Sequence, residues 1–276
     1  MLKLVHLTDT HLVAEGPLYG LDPEHRLLAA ISDINANHAD AALVLVTGDL
    51  AHSGELGAYR RLRAAFNHLN LPWRLMLGNH DNRDAFLTIF DDSPRDEHGF
   101  IQEAMKLDGV LLLMLDTLEP DDRGFYCERR ISWLSDRLAE APDVPTYLFM
   151  HHPPFEIGLA NMDQFGLENP EPVAAVLAKH PQVRHIFFGH VHRPVCGNWR
   201  GIAFSSLPAL AHQVALDFQA RYGAHGLAGH CGDPAYGVVL LDHDRTIVHF
   251  HDYMTPNGWF DLMDPKTYRD GPEESS

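Results

Sequence analysis

The chain has 276 residues, of which 45% are hydrophobic and 21% are charged, as in ordinary globular proteins. This composition excludes an intrinsically disordered or collagen-like chain, and the length predicts one large domain or a large domain with a small companion. The formal net charge is −17, from 21 Lys and Arg against 38 Asp and Glu. Such a charge repels nucleic-acid backbones and anionic membranes, so we expect neither as a stable partner.

The cysteine content bears on the compartment of the protein, and the histidine content bears on its chemistry. The 3 cysteines lie far apart and form no C-x-x-C pair, so we expect neither a disulfide framework nor a cysteine zinc site. The first apolar run reaches Thr8 and Asp9 too early for a signal peptide, and no apolar run is long enough to span a membrane. We therefore expect a cytoplasmic protein with no membrane partner. The 20 histidines make metal chemistry the first hypothesis to test.

Short apolar runs alternate with helical patterns along the chain, and this alternation predicts an α/β protein. The predicted elements, in chain order, are strand 2–7, helix 22–36, strand 43–47, a helix through 59–69, strand 73–77, strand 110–115, a helix through 131–138, strand 146–150, helix 172–179, strand 185–188, and a hairpin of strands 236–241 and 246–251. In the first helix, Leu27, Ile31 and Ile34 recur at helical spacing after Asp22-Pro23, which is a favoured N-cap and first helical residue.

Metal-binding types of side chain follow five of the predicted strands. These are Asp9 and His11, Asp49, Asn79 with His80 and Asp81, His151 with His152, and His190 with His192. Ligand sites of α/β sheets lie beyond the carboxyl ends of the strands, so we expect these side chains to converge. In D-x-H and H-x-H, an extended dipeptide step directs both side chains to the same side. The mixture of carboxylates, imidazoles and one amide suits Zn²⁺, Mn²⁺, Fe²⁺ or Co²⁺ better than Ca²⁺, with room for two ions.

In chain order, these blocks resemble those of the calcineurin-like metallophosphoesterases. The matching blocks are D-x-H at 9–11, G-D-x-x-x-x-G at 48–54, G-N-H-D at 78–81, the lone His151, and G-H-x-H at 189–192. Four further segments, at 18–20, 131–134, 149–154 and 207–214, look like the branch of class III cyclic nucleotide phosphodiesterases and bacterial glycerophosphodiesterases. The resemblance implies a four-layer αββα sandwich of two mixed sheets with helices outside.

The resemblance also implies a domain organisation. Residues 1–206 would form the catalytic domain, and residues 207–235, where glycines interrupt the strand pattern, a small cap or dimerisation insertion. Residues 236–276 would add a hairpin that completes the second sheet, followed by a frayed acidic tail at 270–276. We expect a homodimer or a higher homo-oligomer.

The family pattern assigns roles to the motif residues. One ion would be held by Asp9, His11, Asp49 and His192, and the other by Asp49, Asn79, His151 and His190, with Asp49 bridging the two. Two divalent transition metal ions would clamp the phosphoryl oxygens and lower the pKa of a bound water, which provides the hydroxide that attacks phosphorus. His80 would donate to a phosphoryl oxygen or protonate the leaving alkoxide, and Asp81 would orient it. The residues expected to be catalytic are Asp49, Asn79 and His80. The residues expected to bind substrate are His11, Tyr19, Asn79, His80, His192 and His212.

The resulting prediction is a hydrolase of small phosphodiesters such as cyclic nucleotides or glycerophosphodiesters. Relatives attack monoesters with the same metals, so a broad-specificity phosphomonoesterase or phosphonate ester hydrolase is an alternative. A non-catalytic interaction module would require lost ligands, and a nuclease is disfavoured by the net charge of −17. His52 and His152 are left open as pocket residues, whereas lone histidines such as His6 and His185 are interpreted as surface or core residues without a role.

Overall fold

The computed structural model describes residues 1–120, 123–254 and 262–263. The strands are β1 Leu2–Leu7, β2 Leu43–Val46, β3 Trp73–Leu75, β4 Glu103–Leu107, β5 Val110–Leu115, β6 Thr146–Met150, β7 Val183–Phe188, β8 Val195–Trp199, β9 Ile202–Ser206, β10 Gln213–Val214, β11 Gly229–His230, β12 Tyr236–Leu241 and β13 Thr246–His251. The helices are α1 Pro23–Asn37, α2 Leu56–Phe66, α3 Arg83–Ile89, α4 Glu128–Ala139, α5 Ala160–Asp163 and α6 Pro170–Leu177. The predicted tail at 270–276 lies outside the described residues.

Most of the strands form two large mixed sheets. The first has the order β13-β12-β1-β2-β3, in which β1, β2 and β3 run parallel and the carboxyl-terminal hairpin is antiparallel. The second has the order β4-β5-β6-β7-β9-β8, in which the four inner strands run parallel and both edge strands are antiparallel. The predicted α/β class with two mixed sheets is confirmed.

Side-chain alternation along the strands produces the four layers. On β1, Val5 and Leu7 belong to the core beneath α1, together with Leu27, whereas Leu4 belongs to the core between the sheets. The same alternation along residues 110–115 places one set of side chains between the sheets and the other beneath α4 and α6. Since successive strand side chains point to opposite faces, a strand with a helix layer on one face and a sheet on the other must be apolar throughout.

The first helix begins as its sequence predicts. Asp22 accepts a hydrogen bond from the backbone N–H of His25 at 3.0 Å, and Pro23 occupies the first helical turn. The side chain of Asp22 thus satisfies one of the N–H groups that have no partner within the helix.

The carboxyl-terminal hairpin joins the first sheet, so its predicted place in the second sheet is wrong. The strand β12 pairs antiparallel with β1, with Leu2 opposite Leu241 and Val5 opposite Val238. Without β12, the edge of β1 opposite β2 would leave buried backbone N–H and C=O groups unpaired. The second sheet is completed instead by the hairpin of β8 and β9.

Residues 207–235 are mostly irregular, apart from the short ribbon of β10 and β11. The three cysteines, Cys127, Cys196 and Cys231, are free. Within the described ranges, every helix is too short or too polar to cross a membrane.

His185 provides a test of how burial affects stability. It is 7% exposed, its Nε2 lies 2.8 Å from Ser205 Oγ, and its ring stacks on Phe187 at 4.2 Å. Burial lowers the pKa of His185 from 6.5 to about 4, so this side chain contributes stability that is present above pH 6.5 and is lost as the pH falls towards 4.

We predict that His185→Gln flattens the acid limb of the stability profile, because glutamine retains a donor for Ser205 but does not titrate. Between pH 6.5 and 4, the free energy of unfolding of the wild type should fall more steeply, by about 1 kcal/mol per pH unit, than that of the variant. Urea unfolding of both proteins, with chelator present throughout, measures the two slopes. Equal slopes would contradict the neutral buried state of His185.

Candidate metal centre

The loops after β1, β2, β3, β6 and β7 meet at the carboxyl-terminal edge of the two sheets, and they bring together the predicted ligands. Asp9, His11, Asp49 and His192 are buried, and one donor atom of each lies within 4.8 Å of the others. We call these four side chains the first donor group. Asn79, His151 and His190, together with Asp49, form the second donor group.

The first donor group is compact. His11 Nε2 lies 3.0 Å from His192 Nε2 and 3.4 Å from Asp49 Oδ2. His192 Nε2 lies 3.4 Å from Asp9 Oδ1. Two imidazole nitrogens and two carboxylate oxygens therefore surround one point.

The second donor group shares Asp49 with the first. His151 Nε2 lies 3.3 Å from Asp49 Oδ1 and 3.1 Å from Asn79 Oδ1. His190 Nδ1 lies 3.0 Å from the same amide oxygen of Asn79. The two oxygens of Asp49 thus face different donor groups, and Asp49 would be common to both if each group held an ion.

Backbone carbonyls orient three of the imidazole rings. His151 Nδ1 lies 2.7 Å from the carbonyl oxygen of Thr47, and His192 Nδ1 lies 2.8 Å from that of His212. Each Nδ1–H donates to its carbonyl, so Nε2 of each ring faces the donor cluster and can bind a metal ion once it has lost its proton. His80 Nδ1 is held in the same way by the carbonyl of His52, at 2.7 Å.

These contacts crowd acceptor atoms around His151 Nε2, so a positive charge at this point, a proton or a metal ion, stabilises the arrangement. His151 Nε2 faces two oxygens that can only accept, since Asn79 presents its carbonyl and Asp49 is ionised. Burial opposes the charged ring, but Asp49 raises the pKa of His151 to about 9. The donors attract a positive charge, and borderline divalent metals fit this set of nitrogen and oxygen atoms.

Five of the candidate ligands have a strained backbone. The φ angles are 52° at Asp9, 42° at His11, 50° at Asp49, 68° at His190 and 48° at His192. For a residue other than glycine, this left-handed backbone conformation costs a free energy on the order of 1–3 kcal/mol, and such strain is concentrated at functional sites. The surrounding structure holds these conformations. For example, the backbone N–H of His11 donates to the carbonyl of Asp49 at 2.9 Å.

Glycines allow the donor loops to approach one another. A Cβ atom on Gly78 would lie 2.3 Å from Asp49 Oδ1, and one on Gly48 would lie 2.5 Å from His151 Nδ1. Both distances are far below van der Waals contact, so a larger residue at either position would displace a candidate ligand.

Asp81 joins two loops and does not orient the ring of His80, so that prediction is corrected. Its carboxylate accepts hydrogen bonds from the backbone N–H groups of Gly78, Leu50 and Ala51, at 2.9, 3.1 and 3.0 Å, and from the hydroxyl of Tyr59 at 2.9 Å. Burial, and then repulsion by Asp49, raises the pKa of Asp81 to about 6. Asp81 thereby ties the loop after β3 to the loop after β2.

A buried hydrogen-bonded chain beneath Asp9 was missed by the sequence interpretation. Thr8 Oγ1 donates to Asp9 Oδ2 at 2.7 Å, Thr47 Oγ1 donates to Thr8 Oγ1 at 2.9 Å, and His6 Nε2 lies 2.8 Å from Thr47 Oγ1. Because the threonine hydroxyls donate towards Asp9, His6 must donate to Thr47. His6 therefore has a structural link to the candidate ligand Asp9, which no local sequence signal reveals.

The remaining candidate residues surround the donor groups at different depths. Tyr19 is 63% exposed, and its ring lies 4.8 Å from that of His212. His52 stacks on His80 at 5.0 Å between ring centroids. His152 is fully buried behind His190, with its Nδ1 at 2.8 Å from Thr117 Oγ1.

A cavity of about 240 Å³ opens over the donor groups. Candidate ligands line it, together with His80 and His212. The cavity is also lined by five residues to which the sequence assigns no role, namely Met162, Phe165, Val214, His225 and Leu227. They belong to two segments distant in sequence, and only the folded structure brings them to the same cavity.

Comparisons with known proteins identify relatives over nearly the whole chain. The sequence model of the calcineurin-like phosphoesterase family matches residues 2–194. A protein of Rhodopseudomonas palustris named as a probable cyclic nucleotide phosphodiesterase is 45% identical over 95% of this chain and 97% of its own length. A glycerophosphodiester phosphodiesterase of Enterobacter lignolyticus is 30% identical over 77% of this chain and 79% of its own length. The crystal structure of a dimetal phosphatase from Danio rerio shares the fold, with a TM-score of 0.68, 14% identity, and coverage of 91% of this chain and 96% of that chain.

We predict that Gly78→Ala displaces Asp49 and removes most of the metal from protein loaded with Mn²⁺. Gly229→Ala is the matched control, because the nearest atom to its Cβ would lie at 3.4 Å, an ordinary contact. Metal content per chain, measured by elemental analysis after dialysis, should fall in Gly78→Ala and stay at the wild-type value in Gly229→Ala. Wild-type metal content in a folded Gly78→Ala protein would show that Asp49 is not needed in its present position.

Proposed function

The chain belongs to the calcineurin-like phosphoesterase family, and we propose that it is a metal-dependent hydrolase of small phosphodiesters such as cyclic nucleotides and glycerophosphodiesters. The observation that carries this proposal is the set of seven donors arranged in two groups around the shared carboxylate of Asp49. The two relatives named as diesterases support a diester substrate. A broad-specificity phosphomonoesterase is the alternative that substrate measurements must exclude.

We assign one ion to the first donor group and the other to the second, with Asp49 common to both. When bound, two ions of Mn, Fe, Zn or Co would polarise the phosphoryl oxygens and acidify a water molecule. The protein's own contribution is to fix the donors in advance. The carbonyls of Thr47 and His212 hold two of the imidazoles, and the hydroxyl of Thr8 holds Asp9.

His80 is the proposed acid for the leaving group. It lines the cavity, and its backbone N–H donates to Asp49 Oδ1 at 3.0 Å. Its Nδ1 is engaged by the carbonyl of His52, which leaves Nε2 as the nitrogen available to a substrate oxygen. A protonated Nε2 can donate to the alkoxide that departs from phosphorus. We assign substrate contacts also to His11, Asn79, His192, His212 and Tyr19.

Residues 207–235 are our candidate for a subunit contact in a homo-oligomer. Phe218 and Tyr222 lie in this segment and are 72% and 69% exposed. Large apolar side chains at this exposure are typical of interaction surfaces when they lie close together. Light scattering of the wild-type chain measures the oligomeric state. The cytoplasmic location stays a prediction from the cysteine pattern.

The proposed function predicts that hydrolysis of phosphodiesters disappears after chelation and returns with Mn²⁺, Co²⁺ or Zn²⁺. A panel of cyclic nucleotides, glycerophosphodiesters, aryl diesters and monoesters, compared by kcat/KM, tests the substrate class. Diesters should be preferred over the monoesters with the same ester group. Activity that survives exhaustive chelation would contradict the metal requirement, and a preference for monoesters would favour the alternative.

The role of His80 predicts a leaving-group effect. A basic sugar or glycerol alkoxide needs a proton in the transition state, whereas an acidic aryl oxide departs without one. We expect His80→Ala to lower kcat/KM by about 10²–10⁴ for alkyl and cyclic diesters, and by far less for aryl diesters. A series of diesters graded by leaving-group pKa measures this in both proteins. Parallel dependences would assign His80 to stabilisation of the phosphoryl oxygens instead.

A further inference from the structure

We propose that the apolar residues lining the cavity bind the flat aromatic base of a nucleotide diester, and that Phe165 and Leu227 determine this specificity. This inference rests on the proposed phosphodiesterase activity and selects between its two substrate classes. We call Met162, Phe165, Val214 and Leu227 the apolar wall.

The apolar wall faces the same cavity as the donor groups. The 240 Å³ cavity is lined by Asp49, Asn79 and His80 as well as by the four wall residues. Met162 and Val214 are buried, Phe165 is half-buried, and Leu227 remains 43% exposed. A diester whose phosphorus lies at the donor groups would therefore extend one ester group against an apolar surface.

Two segments build the apolar wall, and side-chain amides join them. Asn161 Nδ2 donates to the carbonyl of Gly223 at 2.9 Å and also to that of Gly226. Gln164 Nε2 donates to the carbonyl of Ala224 at 2.9 Å. These bonds link the segment carrying Met162 and Phe165 to the segment carrying Leu227, so the wall is held together before a substrate arrives.

The chemistry of this surface favours a nucleobase over glycerol. A base has flat apolar faces that stack on a phenyl ring and contact a thioether. The hydroxyls of glycerol would lose their hydrogen bonds to water against aliphatic and aromatic carbon. His225 lines the cavity beside the wall and offers a polar group for the edge of a base.

The test compares two substrates that differ only in the base. These are 3′,5′-cyclic AMP and its abasic analogue, 1-deoxyribose 3′,5′-cyclic phosphate, which have the same reacting group. In Mn²⁺-loaded wild type, we expect kcat/KM to be about tenfold or more higher for cyclic AMP. Leu227→Asn and Phe165→Leu should lower the value for cyclic AMP about threefold to tenfold and leave that for the abasic analogue within about twofold.

Leu216→Asn is the matched control, because Leu216 lies in the same segment, is 58% exposed and does not line the cavity. It should leave the ratio of the two kcat/KM values unchanged. Equal values for the two substrates in the wild type would overturn the proposal. So would an equal loss for both substrates in Leu227→Asn and Phe165→Leu.

Binding of reaction products separates this inference from the proposed function. Calorimetry of the Mn²⁺-loaded protein with 5′-AMP and with 1-deoxyribose 5-phosphate measures the contribution of the base without hydrolysis. If no diester is hydrolysed, the proposed function fails, and tighter binding of 5′-AMP that is weakened by Leu227→Asn still supports the apolar wall. Equal binding of the two phosphates would overturn it.

Discussion

The candidate centre depends on one carboxylate, that of Asp49, whose two oxygens serve different donor groups. This position is reached only because Gly48 and Asp49, in the loop after β2, have positive φ and because Gly78 has no side chain to occupy the same space. The fold supplies the rest of the constraint. Asp49 lies where the parallel strands of both sheets end, so His151, which follows a strand of the second sheet, can approach a carboxylate that follows a strand of the first.

Much of the fold and the candidate ligands could be predicted because their signals are local. The strands at 110–115 and 146–150 are continuous apolar runs, and the structure gives them the predicted bounds. Each ligand block is a short motif that directly follows a predicted strand, so it can be recognised without knowledge of the rest of the fold. The structure brings Asp9, His11, Asp49 and His192 together in one cluster.

The remaining features depend on contacts between distant segments, which a single sequence does not encode locally. The pairing of β12 with β1 joins the two ends of the chain, and the pattern of 236–241 fits either sheet. Asp81 lies next to His80 in sequence, yet its partners come from the loop after β2 and from Tyr59. His6 has no distinguishing neighbour, and its link to Asp9 passes through two threonines.

The carbonyls that hold His80 and His192 belong to His52 and His212. The side chain of His212 lines the cavity, and the ring of His52 stacks on His80, which also lines it. Every amino acid carries the same carbonyl, so the orientation of these two rings does not depend on which residue stands at positions 52 and 212. Libraries that vary both positions can therefore reshape the substrate pocket while the imidazoles keep their anchors. At positions 52 and 212, the backbone thus fixes the orientation of the imidazoles, while the side chains are free to vary the substrate pocket.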